Sequence, residues 1–233
     1  MRKVMVITGT SEGIGHGIAE HFISKGFSVA GCSRSSSTIE HEDYSHTQVD
    51  VGDENQVRQW IRSINKKYKG IDVLICNAGL VKSALLMSVT SGSILDDFIS
   101  VHIKGTFYTC REVSKVMIPK KYGRIITISS LSVPMNLEGT SAYSATKSAI
   151  TAMTKILAKE LSPMGITCNV IGPGLTLTKS AKSFGDKWEE NLLSQQSIKR
   201  VVTVEEICNI ISFFIAPESS CVTGQLINMC LVD

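Results

Sequence analysis

The chain has 233 residues, of which 43% are hydrophobic and 19% charged, a composition that suits one globular domain with a substantial core. Its formal net charge of +3 comes from scattered lysines and arginines rather than a dense basic patch, so we expect no nucleic-acid partner. No apolar run approaches the ~18 residues of a membrane span, and no signal or transit peptide pattern opens the chain, so we expect no membrane association and a cytoplasmic location.

Apolar strands alternate with helical segments along the whole chain, which predicts an α/β fold with a mainly parallel sheet. The stretch 34–46 is close to the minimum length of a crossover, so we expect a turn there in place of a helix. Strands are predicted near 3–8, 27–32, 47–50, 71–76, 123–129, 165–170 and 225–229, and helices near 13–25, 53–68, 94–118, 142–161 and 204–215.

A glycine-rich turn follows the first predicted strand, with Gly9, Gly13 and Gly15 spaced as Gly-x-x-x-Gly-x-Gly. Glycines there let the backbone approach a pyrophosphate, whose charge the free N–H groups and the positive end of the next helix stabilise. The spacing departs from the commoner Gly-x-Gly-x-x-Gly fingerprint, and glycines also serve ordinary tight turns. The strand before the turn and the helix after it favour a dinucleotide site.

Three side chains with complementary chemistry lie in the second half of the chain. Tyr143 and Lys147 are four apart on one predicted helix face, so the ammonium is expected to lie beside the phenol and to lower its pKa. Ser130 follows a buried strand, at the carboxyl end where open α/β sheets bind ligands. Tyr143 can exchange a proton with a carbonyl or an alcohol while Ser130 hydrogen-bonds the reacting oxygen, which indicates hydride transfer.

With these motifs in this order, the chain resembles a short-chain dehydrogenase/reductase over its whole length, in particular the 3-oxoacyl-[acyl-carrier-protein] reductase-like members. The resemblance implies a Rossmann-like, doubly wound sheet of seven strands with helices on both faces. It also implies a single NAD(P)-binding domain over 1–233, with a cofactor half of about 1–120 and a catalytic and substrate half of about 121–233. By resemblance, Tyr143 is the general acid or base, Lys147 also binds the nicotinamide ribose, and Ser130 holds the substrate carbonyl.

The resemblance also implies which residues bind the cofactor. Asp50 matches the residue that usually contacts the adenine, and Pro173, Gly174 and Thr178 match the segment at the nicotinamide end. The expected catalytic residues are Ser130, Tyr143, Lys147 and His102, without a metal site. The expected cofactor contacts are Gly9, Ser11, Glu12, Gly13, Ile14, Gly15, Ser33, Arg34, Asp50, Val51, Asn77, Ala78, Gly79, Tyr143, Lys147, Pro173, Gly174 and Thr178.

The end of the second predicted strand bears on the choice of dinucleotide. An acidic residue there would hydrogen-bond a ribose 2′-hydroxyl and repel a 2′-phosphate, whereas this chain has Ser33, Arg34 and three further serines. Because Arg34 offers a charged fork that fits a phosphate, NADP(H) is favoured over NAD(H). Glu12 counts against this preference, since NADP-preferring relatives often carry a base in its place, and the serine run is also consistent with a flexible loop.

Two positions depart from the family pattern. His102 stands where the family usually has an Asn that supports a water linking the lysine to solvent. Either the imidazole relays protons by a different geometry, or it only fills space and turnover is reduced. Met229 and Cys230 replace the usual Gly-Gly near the C-terminus, and since they resist backbone angles that glycine permits, the last turn and any subunit contact there are expected to differ.

The loop 175–186 and a weak helix near 187–195 lie where the family places its substrate lid. Its apolar residues suit a small hydrophobic ketone or an acyl chain, and its lysines are consistent with a solvated loop. Seven cysteines without a Cys-x-x-Cys pair predict reduced thiols rather than a disulfide framework or a zinc site. The lid residues are Leu175, Leu177, Lys179, Lys182, Phe184, Lys187 and Trp188.

Three functions remain open on the sequence. The first is an NADP(H)-dependent reductase that converts a ketone or 3-oxoacyl thioester to a secondary alcohol, with Tyr143 as general acid. The second is an oxidative dehydrogenase of a sugar, polyol or other secondary alcohol. The third is a dinucleotide-binding regulatory protein with weak turnover, for which His102 is the only support. The resemblance also implies a homo-oligomer, a dimer or homotetramer, paired through the helices near 94–118 and 142–161.

Overall fold

A fully parallel sheet of seven strands forms the centre of the computed structural model, which describes residues 2–82, 84–178 and 185–232. The strands are β1 (Val4–Thr8), β2 (Ser28–Ser33), β3 (Tyr44–Gln48), β4 (Val73–Cys76), β5 (Gly123–Ile128), β6 (Ile166–Gly172) and β7 (Leu226–Asn228). Their order is β3-β2-β1-β4-β5-β6-β7, and every neighbouring pair is parallel. Because the order reverses between β1 and β4, a crevice forms at the carboxyl ends of these strands, where such sheets bind ligands.

Helices cover both faces of the sheet, which explains why β1, β4, β5 and β6 are buried along their whole length. The helices are α1 (Gly13–Ser24), α2 (Glu54–Tyr68), α3 (Gly92–Phe98), α4 (Gly105–Met117), α5 (Ser141–Leu161), α6 (Asp186–Gln195) and α7 (Val204–Ile215). One hydrophobic core joins α1 and α7 to the sheet, and a second core joins α2, α4 and α5 to its other face. The predicted doubly wound fold is therefore confirmed.

The predicted helix over 94–118 is three segments rather than one. A π-helical turn, Ile99–Lys104, separates α3 from α4, and His102 lies buried within it. Gly105 opens α4 where a side chain would not fit, because a Cβ atom there would lie 2.7 Å from Cγ2 of Val51. The apolar spacing of a π turn differs too little from that of an α-helix for sequence periodicity to separate them.

The connection between β2 and β3 is an irregular loop without a helix, as expected from its length. The strand β3 begins at Tyr44, three positions before the predicted start at 47, because Tyr44 pairs with Val29 and its hydroxyl donates to Oγ1 of Thr10 at 2.9 Å. The weak helix near 187–195 is present as α6. Lys179, Lys182 and Phe184 of the expected lid lie outside the described residues.

The last turn contains the second departure from the family pattern. Cys230 adopts a φ of 66°, the left-handed conformation that favours glycine, so the turn keeps a glycine-like angle with a side chain in place. Its carbonyl oxygen accepts a hydrogen bond from the Ser197 N–H at 2.9 Å. All seven cysteines are free thiols. Across 2–82, 84–178 and 185–232, no helix is suited to cross a membrane, and His, Cys, Asp and Glu side chains form no metal-binding group of three.

Candidate active site

A cavity of about 420 Å³ opens at the carboxyl ends of the strands. Its walls come from the segments that follow β1 to β6, from Gly9 after β1 to Thr178 after β6. All the predicted site residues line this cavity except Gly15 and His102. The fold therefore brings together residues from both halves of the chain.

The glycine turn forms one end of the cavity. Gly9 and Gly13 have φ values of 79° and 65°, which side chains rarely adopt. A Cβ atom on Gly15 would lie 2.1 Å from the Gly9 carbonyl oxygen and 2.3 Å from Nδ2 of Asn77. Gly15 does not line the cavity and permits the close packing of the turn, and its contact with a cofactor stays a prediction.

The segment after β4 holds the glycine turn in place. Asn77 donates from Nδ2 to the carbonyl oxygens of Thr8 at 3.0 Å and Gly9 at 3.1 Å. The backbone N–H groups of Asn77 and Ala78 both donate to Oγ1 of Thr8, at 3.0 and 2.9 Å. The turn is thus fixed before any ligand arrives, with the N-terminus of α1 directed at the cavity.

These residues fit a dinucleotide. The turn has no side chain at Gly9 or Gly13 and leaves the first N–H groups of α1 to an anion. At the far end of the same wall, Arg34 is exposed, and no described acidic residue forms an ion pair with it. Asp50, which also lines the cavity, is oriented by a hydrogen bond from the Gly52 N–H at 2.9 Å.

Sequence reasoning missed one neighbour of the Arg34 region. Ser33 donates from Oγ to the Ser35 carbonyl oxygen at 2.8 Å, and Nε2 of His46 lies 2.8 Å from the same Oγ. His46 belongs to β3, so no local pattern in the sequence indicates this contact. Partial burial lowers the pKa of His46 below its usual value.

The three side chains that the sequence predicts to be catalytic line the cavity together. Tyr143 and Ser130 share the cavity wall, and Lys147 donates from Nζ to the Ile128 carbonyl oxygen at 2.9 Å. Lys147 is only 4% exposed, and burial lowers its pKa to about 8. Its Nζ lies 5.8 Å from the centre of the Tyr143 ring.

The expectation that Lys147 lowers the pKa of Tyr143 is wrong for the protein without ligands. Burial raises the pKa of Tyr143, and the polar influence of the Ser130 hydroxyl lowers it by less. The helix does bring the two side chains close, but the ammonium is bonded to a carbonyl at the end of β5. The phenol therefore stays protonated at neutral pH.

His102 lies behind Tyr143, outside the cavity wall, and is completely buried. Its Nε2 accepts from the Leu80 N–H at 2.9 Å, so Nδ1 carries the proton and donates to Oγ1 of Thr146 at 2.8 Å. Thr146 in turn donates to the Tyr143 carbonyl oxygen at 2.8 Å. The ring stacks on Phe98 with centroids 5.4 Å apart.

Burial, together with the nearby charge of Lys147, lowers the pKa of His102 to about 3. The imidazole is therefore neutral, and both of its nitrogens have partners. A catalytic role for His102 stays a prediction, and these contacts show how the ring is held in the protein without ligands. The two hydrogen bonds of His102 connect the loop after β4 to α5. The side chain therefore does more than fill space.

The remaining wall of the cavity is mostly apolar. Leu175 and Trp188 of the expected lid contribute to it, whereas Leu177 and Lys187 do not. Further apolar residues come from the segments after β4 and β5, which sequence reasoning did not assign to the site. They are Val81, Leu85, Ile94, Leu131 and Leu137, and Leu192 on α6 adds a further apolar side chain.

The family model for short chain dehydrogenases matches residues 3–189. The chain belongs to this family. Over 236 residues it is 31% identical to the 3-oxoacyl-[acyl-carrier-protein] reductase FabG of Buchnera aphidicola, covering 98% of this chain and 96% of the relative. The corresponding FabG of Salmonella typhimurium is 29% identical over 97% of this chain and 95% of its own. Among solved structures, ElxO with NADP bound is 28% identical and matches with a TM-score of 0.91, covering 98% of this chain and 97% of that one.

Membership of the short chain dehydrogenases confirms the family, the fold and the class of enzyme predicted from the motifs. The protein is an NAD(P)-dependent oxidoreductase that acts on CH–OH or C=O groups. The relatives cover nearly the whole of this chain and are themselves nearly covered by it. The similarity therefore includes both the glycine turn and the segment with Tyr143.

Proposed function

We propose that this short chain dehydrogenase is an NADP(H)-dependent reductase that converts the carbonyl of a 3-oxoacyl thioester, or of a similar small ketone, to a secondary alcohol. One observation carries the proposal: Ser130 and Tyr143 line the same cavity as the glycine turn and Arg34, with apolar walls beyond them. The names of the FabG relatives support the choice of substrate class. When bound, the reduced cofactor supplies the hydride.

The three side chains of the trio have separate tasks in this reaction. Tyr143 donates its phenolic proton to the carbonyl oxygen, and its raised pKa keeps that proton available at neutral pH. Ser130 hydrogen-bonds the same oxygen as charge develops on it. Lys147 uses one N–H on the Ile128 carbonyl, holds the nicotinamide ribose with the others, and stabilises the phenolate that remains.

The raised pKa of Tyr143 also bears on the direction of reaction. An oxidative dehydrogenase needs the phenolate as a base, and burial disfavours that form here. A reductase needs the protonated phenol. We take the protonated phenol of the protein without ligands as support for the reductive assignment.

The preference for NADP(H) is supported by Arg34 at the rim of the cofactor half, about 1–120. Arg34 is exposed and the neighbouring Ser35 adds a hydroxyl donor, an arrangement that suits the 2′-phosphate. ElxO, one of the similar structures, has NADP bound. The half over about 121–233 would then supply the catalytic trio and much of the substrate wall.

The proposal extends to a cytoplasmic homo-oligomer, a dimer or homotetramer. Phe107 on α4 and Ile156 on α5 are large apolar side chains that lie exposed on the two helices that relatives commonly pair. Apolar surface of this kind is stabilised by a second copy of the chain. Light scattering after size exclusion tests it, and a monomer at micromolar concentration would count against it.

Titration with NADPH and NADH, followed by nicotinamide fluorescence, is the first experiment. Ketones, 3-oxoacyl thioesters and sugars are then added to the NADPH-bound protein. We expect tighter binding of NADPH and its oxidation by the thioesters. Tyr143→Phe should bind NADPH like the parent and lose turnover, because it lacks only the donated proton. If the protein binds NADPH tightly but no compound in the panel oxidises it, the assignment changes to the dinucleotide-binding regulatory protein.

A further inference from the structure

The edge strand β3 sends two side chains toward the cofactor side of the cavity. Tyr44 and His46 are two positions apart on this strand, so they lie on the same face of the sheet. The Tyr44 hydroxyl donates to Oγ1 of Thr10 in the glycine turn at 2.9 Å. Nε2 of His46 lies 2.8 Å from Oγ of Ser33, the last residue of β2. Ser33 lines the cavity, whereas His46 supports it from outside the wall.

The Ser33 hydroxyl makes two short contacts but has only one proton. Its other neighbour is the Ser35 carbonyl oxygen at 2.8 Å, which can only accept. Both contacts are hydrogen bonds at once only if Ser33 donates to this carbonyl and Nε2 of His46 donates to Ser33. Partial burial lowers the pKa of His46, so the ring is neutral at neutral pH and carries its one proton on Nε2 in this arrangement.

These two hydrogen bonds fix the backbone on both sides of Arg34. The bond from Ser33 to the Ser35 carbonyl closes a tight turn around Arg34. The bond from His46 ties this turn to β3, the next strand of the sheet. Arg34 itself is exposed and lines the cavity, so its backbone is held while its guanidinium faces solvent. The turn is therefore anchored and does not behave as a free serine-rich loop.

Such an anchor matters most for the part of the cofactor that Arg34 is proposed to bind. NADP(H) and NAD(H) differ only in the 2′-phosphate, and a turn that is already fixed loses less conformational entropy when this phosphate binds. We propose that His46 is a positioning residue for the choice of cofactor: by holding Ser33, it keeps the turn in the shape that presents Arg34 to the 2′-phosphate. The inference rests on the proposed function, because it takes NADP(H) as the cofactor.

Fluorescence titration with NADPH and NADH measures how His46 affects each cofactor. His46→Leu, which removes both ring nitrogens, should weaken NADPH binding roughly 5-fold and NADH binding by less than about 2-fold, because one hydrogen bond that supports the phosphate site is lost. His46→Gln, whose amide N–H can take the place of the Nε2 N–H, should restore most of the NADPH affinity. If His46→Leu does not fold, His46→Asn replaces it, because its shorter side chain leaves the Ser33 oxygen out of reach.

Ser45→Ala is the matched control for damage to β3. Ser45 lies on the same strand, and its hydroxyl lies 3.2 Å from that of Tyr68 on α2, at the other face of the sheet. This variant should leave the ratio of NADPH to NADH affinity unchanged. If Ser45→Ala changes the ratio as much as His46→Leu does, any weakening of the strand has the same effect and the inference is overturned.

A double variant tests whether His46 acts through Arg34. Arg34→Ala should weaken NADPH binding by itself, and the addition of His46→Leu should then cause little further loss, because the side chain that the turn positions is gone. Losses that multiply in the double variant would contradict the inference. Equal losses of NADPH and NADH affinity in His46→Leu would contradict it as well, and would leave His46 with a role in packing only.

Turnover separates the inference from the proposed function. If the parent prefers NADPH in a His46-dependent way but reduces no compound in the panel, the proposed reductase fails and the inference stands. If the parent reduces a 3-oxoacyl thioester with NADPH but His46→Leu keeps the parental ratio of cofactor affinities, only the inference fails. A parent that binds NADH more tightly than NADPH would overturn both the cofactor preference and the inference.

Discussion

His102 should make the stability of the protein unusually sensitive to mild acid. Its pKa is about 3 in the folded protein, against an ordinary value of 6.5 that applies to the unfolded chain. Between these pH values His102 is protonated in the unfolded chain and neutral in the folded protein. The free energy of unfolding therefore falls as the pH drops through 6.5 and continues to fall toward 3. At 1.36 kcal/mol per pH unit, the loss is about 2 kcal/mol from pH 7 to pH 5 and about 5 kcal/mol over the whole window.

Replacement of His102 by Asn, the residue usual in the family, removes this titration. Urea unfolding at pH 7 and pH 5 measures the free energy of unfolding of parent and variant at each pH. The parent should lose about 2 kcal/mol more than His102→Asn between the two conditions. Other titrating groups contribute equally to both proteins, so they cancel in the difference. Lys147, whose charge adds to the shift, keeps its proton in this range because its pKa is about 8.

An exposed histidine provides the matched control. His41→Asn removes an imidazole at the surface, away from the contacts of His102, and is measured under the same two conditions. The reasoning is refuted if parent and His102→Asn lose the same stability between pH 7 and pH 5. That result would mean that the buried imidazole accepts a proton without cost, and hence that its hydrogen bonds rearrange in the folded state.

Three further outcomes follow from single contacts. Arg34→Ala should weaken NADPH binding at least 10-fold and NADH little, because a charge-assisted phosphate contact contributes ~2 kcal/mol; equal losses in fluorescence titrations would contradict it. Cys230→Gly should raise the free energy of unfolding, measured in urea, by about 1 kcal/mol. A residue with a Cβ atom pays about that much to hold the left-handed angle, and glycine does not. Unchanged stability would argue against backbone strain at this position. Lys147→Met should abolish reduction. It should also stabilise the protein at pH 7 by up to about 3 kcal/mol, because the buried ammonium, with its pKa lowered to about 8, destabilises the fold. A less stable variant would show that the hydrogen bond to the Ile128 carbonyl outweighs the cost of burial.

The parts of the structure that follow from local pattern could be predicted from the sequence. The alternation of apolar strands and helices predicted the sheet. The shortness of the stretch 34–46 predicted that no helix lies between β2 and β3. Both follow from chain length and periodicity. The glycine turn also could be placed, since its spacing and its neighbours in the chain define it. Gly15 shows the limit, because its role depends on how close Asn77 comes from another strand.

The electrostatics of the site could not be predicted in the same way. The spacing of Tyr143 and Lys147 correctly gave their proximity, but the pKa of the phenol depends on burial and on which oxygen the ammonium binds. That oxygen belongs to Ile128, on a strand well before the helix. The partners of His102 are likewise distant, since Thr146 lies 44 positions away in the chain. Such contacts form only in the assembled fold, and no short sequence motif indicates them.

His102 stands where the family usually has Asn, and its contacts bear on the stability of the fold more directly than on the chemistry of the site. Leu80 directly follows the Asn77-Ala78-Gly79 segment that holds the glycine turn, and Thr146 lies on the helix turn that carries Tyr143. The imidazole therefore links the cofactor side of the cavity to the catalytic helix by two direct hydrogen bonds. A hydrated Asn would do this through a water open to exchange, whereas a stacked, fully buried ring makes a dry link. In the reaction that we propose, protons for Tyr143 would then arrive from the cavity side, where Ser130 and Lys147 lie.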